Sequence, residues 1–204
     1  MAYPTIDAPY GFRPVNLLGG QVFAGSTRQM AIASGHATNI FFGDIVIMSS
    51  NGCINNATLT DSAVQVAGIF MGCSYINSSS QRVFGQYYPA TITQTVDSTN
   101  GTIAYIADDP DLVMKVAIVS GTTVISGNTR AGLVGGTAAW VANAGSTITG
   151  DSKQAVLSTV GTATTLPLKV IDVVPDTANS SGSFTEVLVT WTGLVHMYRG
   201  AAGI

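Results

Sequence analysis

"FTEVLVTW", residues 184–191, alternates along its whole length: Phe184, Glu186, Leu188 and Thr190 fall on one side, and Thr185, Val187, Val189 and Trp191 on the other. Successive side chains of a strand point to opposite faces, so this period of two predicts a half-buried β-strand. The Val187, Val189 and Trp191 side is the more apolar and is expected to face a core.

The same texture extends in both directions. "QVFAGSTRQMAIAS", "TNIFFGDIVIMS", "VQVAGIFMGCSY", "QRVFGQYYPATI", "GTIAYIA", "DLVMKVAIV", "QAVLSTV" and "LPLKVIDVV" are short runs rich in Val, Ile, Phe, Tyr and Thr, separated by Gly, Asn, Ser and Asp clusters. Only residues 128–145 admit a helix, and the glycines there limit it to one short piece, since glycine costs about 1 kcal/mol relative to alanine in a helix. No fixed-period repeat is visible, which argues against a propeller or solenoid. The pattern therefore predicts an all-β fold of short antiparallel strands: a single β-sandwich or β-barrel, with a jelly-roll-like arrangement among the alternatives. The stretches "INSSSQ", "TVDSTNGT" and "DTANSSGS" read as exposed loops.

Residues 1–20 differ. They hold Pro4, Pro9 and Pro14 and end in "LLGG", which suits neither a helix nor a central strand. The reading is an extended N-terminal arm over residues 1–20 followed by a β domain over residues 21–204. On this view the arm leaves the domain and lies on another protein, with Tyr10, Phe12, Arg13 and Pro14 among its contacts; the alternative is that the arm caps its own β domain. Aromatic and arginine side chains are favoured at interface centres. Tyr87 and Tyr88, just before Pro89, are a second candidate contact, with core packing as the alternative; Trp140 and Trp191 are weighed in the same way.

Composition narrows the class. Charged residues make up 9% of the 204, against about 25% in ordinary globular domains, while 46% are hydrophobic and the mean hydropathy is +0.37. Such a surface is covered by hydroxyls and amides or by other protein, so a subunit of an assembly is expected. The net charge of −3 and eight scattered Lys and Arg offer no basic footprint, so no nucleic-acid partner is expected. The polar, proline-broken start does not read as a signal peptide, and no run reaches the ~18 apolar residues of a membrane helix. The expectation is synthesis in the cytoplasm and no membrane association. Cys53 and Cys73 are expected to be free thiols there, although their spacing alone leaves pairing open.

No enzyme is expected. His36 and His196 are the only imidazole bases, neither lies in a motif, and G-x-S-x-G, S-x-x-K, H-E-x-x-H and phosphate-loop patterns are absent. "DDPD", residues 108–111, reads as an Asp/Pro turn rather than a calcium loop, and Glu186 is the sole glutamate. The sequons at Asn56, Asn77, Asn100 and Asn179 read as loop polarity. No metal or cofactor is expected.

Taken in order, "YGFRPVNLLGGQVFAGSTRQMAIASG", "NIFFGDIVIM", "VAGIFMGCSY", "YIADDPDLVMKV", "LPLKVIDVV" and "EVLVTWTGLVH" resemble a family of tailed-phage virion structural proteins, similar to capsid cement or head decoration proteins of phages of aquatic bacteria. The resemblance implies a protein made in the bacterial host and carried on the capsid exterior. It implies the major capsid protein and neighbouring copies of the chain, as dimer or trimer, as partners. No catalytic or ligand residue is carried over. The alternative from another class is a tail-associated adhesin or fibre domain binding a host-surface glycan.

Overall fold

Two of the apolar runs are much longer than the rest, and the fold is organised around them. The computed structural model describes residues 9–33, 35–57, 65–90, 92, 102–121, 123–124, 130–163, 165–177, 185–193 and 195–200. After β1 (Arg13–Leu17), six consecutive strands make a smaller sheet: β2 (Arg28–Ala31), β3 (Ile45–Met48), β4 (Ile54–Asn56), β5 (Val66–Ile76), β6 (Arg82–Gly85) and β7 (Ile103–Ala107). The rest join β1 in a larger sheet: β8 (Leu112–Ser120), β9 (Thr123–Val124), β10 (Thr137–Ala138), β11 (Trp140–Val141), β12 (Ala155–Leu157), β13 (Leu168–Val173) and β14 (Glu186–Trp191). A single-turn helix, α1 (Arg130–Leu133), falls inside the stretch where one short helix was expected, and a 3-10 turn spans Pro175–Thr177. The fold is all-β, with the sheets in a nearly closed, barrel-like arrangement.

The smaller sheet runs β2-β7-β5-β3-β4, with β6 also on β5; the larger runs β10-β13-β14-β8-β12-β11, with β1 and β9 also on β8. β5 has eleven residues and β8 nine, and β8 pairs with β12 in parallel, so the strands are neither uniformly short nor all antiparallel. Length lets each long strand serve two partners in succession. The first half of β5 pairs with β3 and its second half with β6, while β8 holds β1 along residues 112–115 and β12 at residues 118–119.

The main core lies between the sheets. Ile45, Val66 and Ile69 of the smaller sheet meet Leu112, Met114, Val116 and Ile118 of β8 and Val187, Val189 and Trp191 of β14, all buried. The predicted apolar side of β14 is thus the side that packs. A second cluster covers the opposite face of the smaller sheet, where Val46, Ala67, Phe70 and Ile106 pack with Ile40 and Tyr88. Burial on both faces explains the unbroken apolar run of β5, for which alternation fails. Gly68 makes the β5–β7 approach sterically feasible. Its φ is +149°, and a Cβ there would lie 2.2 Å from the Ala107 carbonyl oxygen.

Among the described residues, hydrogen bonds outside the ladders help to join the sheets. The Val66 N–H donates to the Val195 carbonyl (2.8 Å) and the Met197 N–H to the Val66 carbonyl (3.0 Å). Elsewhere Phe42 N–H reaches the Gly150 carbonyl and Ser152 N–H the Phe42 carbonyl, both at 3.0 Å.

The N-terminal reading needs correction. Residues 10–17 do not leave the domain: Phe12 is fully buried in the main core, its N–H donates to the Gly43 carbonyl at 2.9 Å, and β1 pairs antiparallel with β8. Pro14 is tolerated because β1 is an edge strand whose register slips between Pro14 and Asn16. The exposed stretch lies further along. Among residues 18–29 every residue but Phe23 is exposed, and strand structure resumes only at Arg28. Residues 1–8 of the expected arm lie outside the described residues. Because Phe12 fills core space, Phe12→Ala is expected to lower the unfolding free energy by about 3–5 kcal/mol. Chemical denaturation measures this, and a change under about 1 kcal/mol would restore the detached arm.

Candidate interaction surface

Of the residues singled out in the sequence, Tyr10, Arg13 and Tyr87 are half-buried on a face built by β1, the turn at residues 41–44 and the loop ending at Asp151. The Arg13 guanidinium donates to Asp151 Oδ1 at 2.6 Å and lies 4.3 Å from the Phe42 ring centroid and 5.7 Å from that of Tyr10. Gln86 Nε2 donates to the same carboxylate oxygen at 3.0 Å, and Tyr87 stacks on Phe41 with centroids 5.5 Å apart. The cation is therefore held by a carboxylate and two rings, which orients a long side chain that would otherwise be mobile.

Tyr10 is anchored on its other side. Its hydroxyl donates to Glu186 Oε1, and Lys115 Nζ lies 3.4 Å from the same carboxylate. Burial first, then the Glu186 carboxylate, push the Tyr10 hydroxyl well above the ordinary tyrosine range, so it remains a donor. Phe12 and Tyr88 are not surface contacts in this fold. Both are fully buried, and Tyr88 and Ile40 exchange two backbone hydrogen bonds of 2.8 and 3.1 Å. Pro14 is half-buried on β1. Trp140 and Trp191 are core residues.

Sequence reading missed the apolar side chains that are exposed: Val15, Leu18 and Val22 beside the β1 edge, Phe84 on β6 (71% exposed) and Ile148 (95% exposed) at the tip of the turn at residues 146–150. Only the "LLGG" punctuation hinted at the first group. Ile148 sits in "STITG", whose flanking hydroxyls support the turn: Ser146 Oγ accepts the Thr149 N–H at 3.3 Å.

The two histidines occupy different settings. His36 Nε2 lies 3.0 Å from Asn56 Oδ1 and 2.7 Å from Thr38 Oγ1. Asn56 Nδ2 donates to the Asn39 carbonyl and Thr38 Oγ1 donates to Asn56 Oδ1 at 2.8 Å, so His36, Thr38 and Asn56 form one hydrogen-bonded group. Asn56, one of the sequon asparagines, is a half-buried strand residue rather than a loop residue. His196 is fully buried, and its Nδ1 accepts from the Tyr198 N–H at 3.4 Å. Burial pulls its pKa down to about 4, so it is neutral near pH 7.

The "DDPD" turn is built from its own backbone and side-chain bonds. Asp109 Oδ1 accepts the Asp111 N–H at 2.8 Å; Asp108 takes Arg28 and the Tyr198 hydroxyl, and Asp111 takes Arg199 at 2.6 Å. Among the described residues no group of three or more His, Cys, Asp or Glu is arranged to hold a metal ion. Cys53 and Cys73 are free thiols, and burial raises Cys73 to about 12.

A polar junction lies beneath this face. Asp44 is buried, with Oδ1 accepting from Ser152 Oγ (2.6 Å) and Oδ2 from the Phe41 N–H (2.8 Å). Ser152 Oγ also accepts the Gln154 N–H, and Gln154 Oε1 accepts the Ile45 N–H. Gly11 is pressed against this junction: a Cβ there would meet Ser152 Cβ at 2.5 Å. Burial raises the Asp44 pKa to about 6 against the two hydrogen bonds that lower it.

No protein-family model matches the chain, and no curated protein or solved structure matches it significantly. Among the described residues no helix is long and apolar enough to cross a membrane.

Asp44 and His196 pull stability in opposite directions with pH. A carboxyl with a raised folded pKa favours the folded state at low pH, and its contribution is lost as pH rises from about 4 to 6. A buried histidine with a lowered pKa does the reverse, costing stability as pH falls from 6.5 to about 4. Denaturation series at pH 4–6.5 are expected to give a flattened profile for the unaltered chain. Asp44→Asn should expose the histidine slope, of at most about 1.4 kcal/mol per pH unit, with stability falling on acidification. His196→Phe should expose the opposite slope; parallel profiles in all three would refute the assignment.

Proposed function

We propose that this chain is a capsid cement, or decoration, protein that binds the outside of a tailed-phage head and stabilises contacts between major capsid proteins. The observation that carries the reading is the internal pairing of charge. Arg13, Arg28, Lys115, Arg130 and Arg199 are each held by a carboxylate of the same chain, in a protein with only eight cations. The few charges are thus engaged within the chain, and Val15, Leu18, Val22, Phe84 and Ile148 are exposed. Such a surface suits lasting contact with other protein more than encounter with a charged substrate.

The resemblance of six ordered motifs to tailed-phage virion structural proteins supports the same reading. A cement subunit needs no catalytic constellation. It needs a stable body and several contact points, because binding only the assembled lattice stabilises that lattice by mass action, and many modest contacts suffice.

The test is cryo-electron microscopy of virions carrying this chain. An icosahedrally ordered layer across capsomer boundaries, with exposed apolar residues such as Val22, Phe84 or Ile148 against the major capsid protein, is the expected result. Density confined to the tail would overturn the proposal in favour of a glycan-binding adhesin, and absence from the particle would overturn both.

A further inference from the structure

The segment that follows β14 is tied to the rest of the chain around a buried imidazole. Residues 195–197 run beside the start of β5, where the Val66 N–H donates to the Val195 carbonyl (2.8 Å) and the Met197 N–H to the Val66 carbonyl (3.0 Å). Tyr198 and Arg199 then reach the turn between β7 and β8. The Tyr198 hydroxyl donates to Asp108 at 2.9 Å and the Arg199 guanidinium to Asp111 at 2.6 Å. Both of these contacts are exposed, and exposed ionic contacts hold weakly.

His196 lies beneath them with no solvent exposure, its ring centroid 6.1 Å from that of Trp191 and 5.3 Å from that of Tyr198. Because Nδ1 accepts the Tyr198 N–H at 3.4 Å, the neutral ring carries its proton on Nε2, which has no hydrogen-bond partner among the described residues. A second proton has to enter at Nδ1, where it meets the Tyr198 N–H, donor against donor. Asp108, Asp109 and Asp111 on the turn favour the cation, Arg199 opposes it, and Arg28 of β2 is taken up by Asp108. Burial outweighs the acids and holds the imidazole near 4, against about 6.5 for a solvated histidine. Between those two values the ring takes up a proton only when the segment lifts, so the closed state loses ground as pH falls through this window.

Lifting the segment leaves the ladders in place: β5 keeps β3, β6 and β7, and β14 keeps β13 and β8. It also leaves the Asp44–Ser152 junction untouched, since that junction joins the turn at residues 41–44 to the approach to β12.

We infer that residues 195–200 form an acid-released clasp: protonation of His196 detaches the segment from Val66 and from the turn at residues 108–111 while both sheets stay paired. The inference rests on the setting of one imidazole and does not depend on the capsid reading.

Amide hydrogen exchange followed by NMR between pH 7 and 4.5 tests it, each rate being taken relative to the intrinsic rate at that pH. The Val66 and Met197 amides should lose protection roughly fiftyfold over this range. Amides of the β8–β14 ladder should change by less than about fivefold, because they open with the whole chain, where the opposite titration of Asp44 offsets that of His196. His196→Phe, which keeps a ring in the core, should abolish the pH dependence at Val66 and Met197. Tyr198→Phe, at a half-exposed position, should speed exchange of both amides about two- to fivefold at every pH and leave the slope unchanged. Equal loss of protection in the ladder and the clasp, a slope that persists in His196→Phe, or a Tyr198→Phe chain indistinguishable from the unaltered one would each overturn the inference.

Discussion

The structure depends on a buried carboxyl. Asp44 accepts from the Phe41 N–H within its own turn and from Ser152, 108 residues further on, and Gln154 next to Ser152 accepts the Ile45 N–H. These bonds hold three sequence-distant pieces at one point: the approach to β3, the approach to β12 and, through Gly11 and the Phe12–Gly43 bond, the entry to β1. Apolar packing between sheets is tolerant of sliding, whereas a buried acid with two directed donors is not. The junction thus supplies register to a body whose cohesion comes from its core.

The fold class was legible because strand alternation is local. Val187, Val189 and Trp191 read as core from eight residues alone, and they are core. β5 was visible as apolar but not as doubly buried, because nothing in "VAGIFMGC" says that Ile40 and Tyr88 will cover its far side. β1 was missed because Pro14 argues against a strand; an edge position, which neutralises that argument, is a property of the whole sheet. The contact residues were partly legible for the same reason. Tyr10 and Arg13 are half-buried on the face, but Phe12 between them is wholly buried, and the alternation that places it there is obscured by Gly11.

Charge illustrates a different limit. Composition shows that charges are few, but not that most cations would find carboxylates at 42 to 138 residues' separation. Individually such partly exposed pairs contribute little to stability. Collectively they set most of the cations beside a carboxylate, a local arrangement that exists only once the fold has made the pairs.

The bond between Tyr10 and Glu186 spans 176 residues. At translation rates of about 5–20 residues per second, the N-terminal strand emerges roughly 9–35 s before its last anchor exists. For more than half of that interval Phe12 lacks β8, and for all of it β14, so β1 is fixed late. The order of synthesis therefore makes the strands of the smaller sheet before β8 and β14, and β14, the last of the described strands, supplies the anchor for the segment that enters β1.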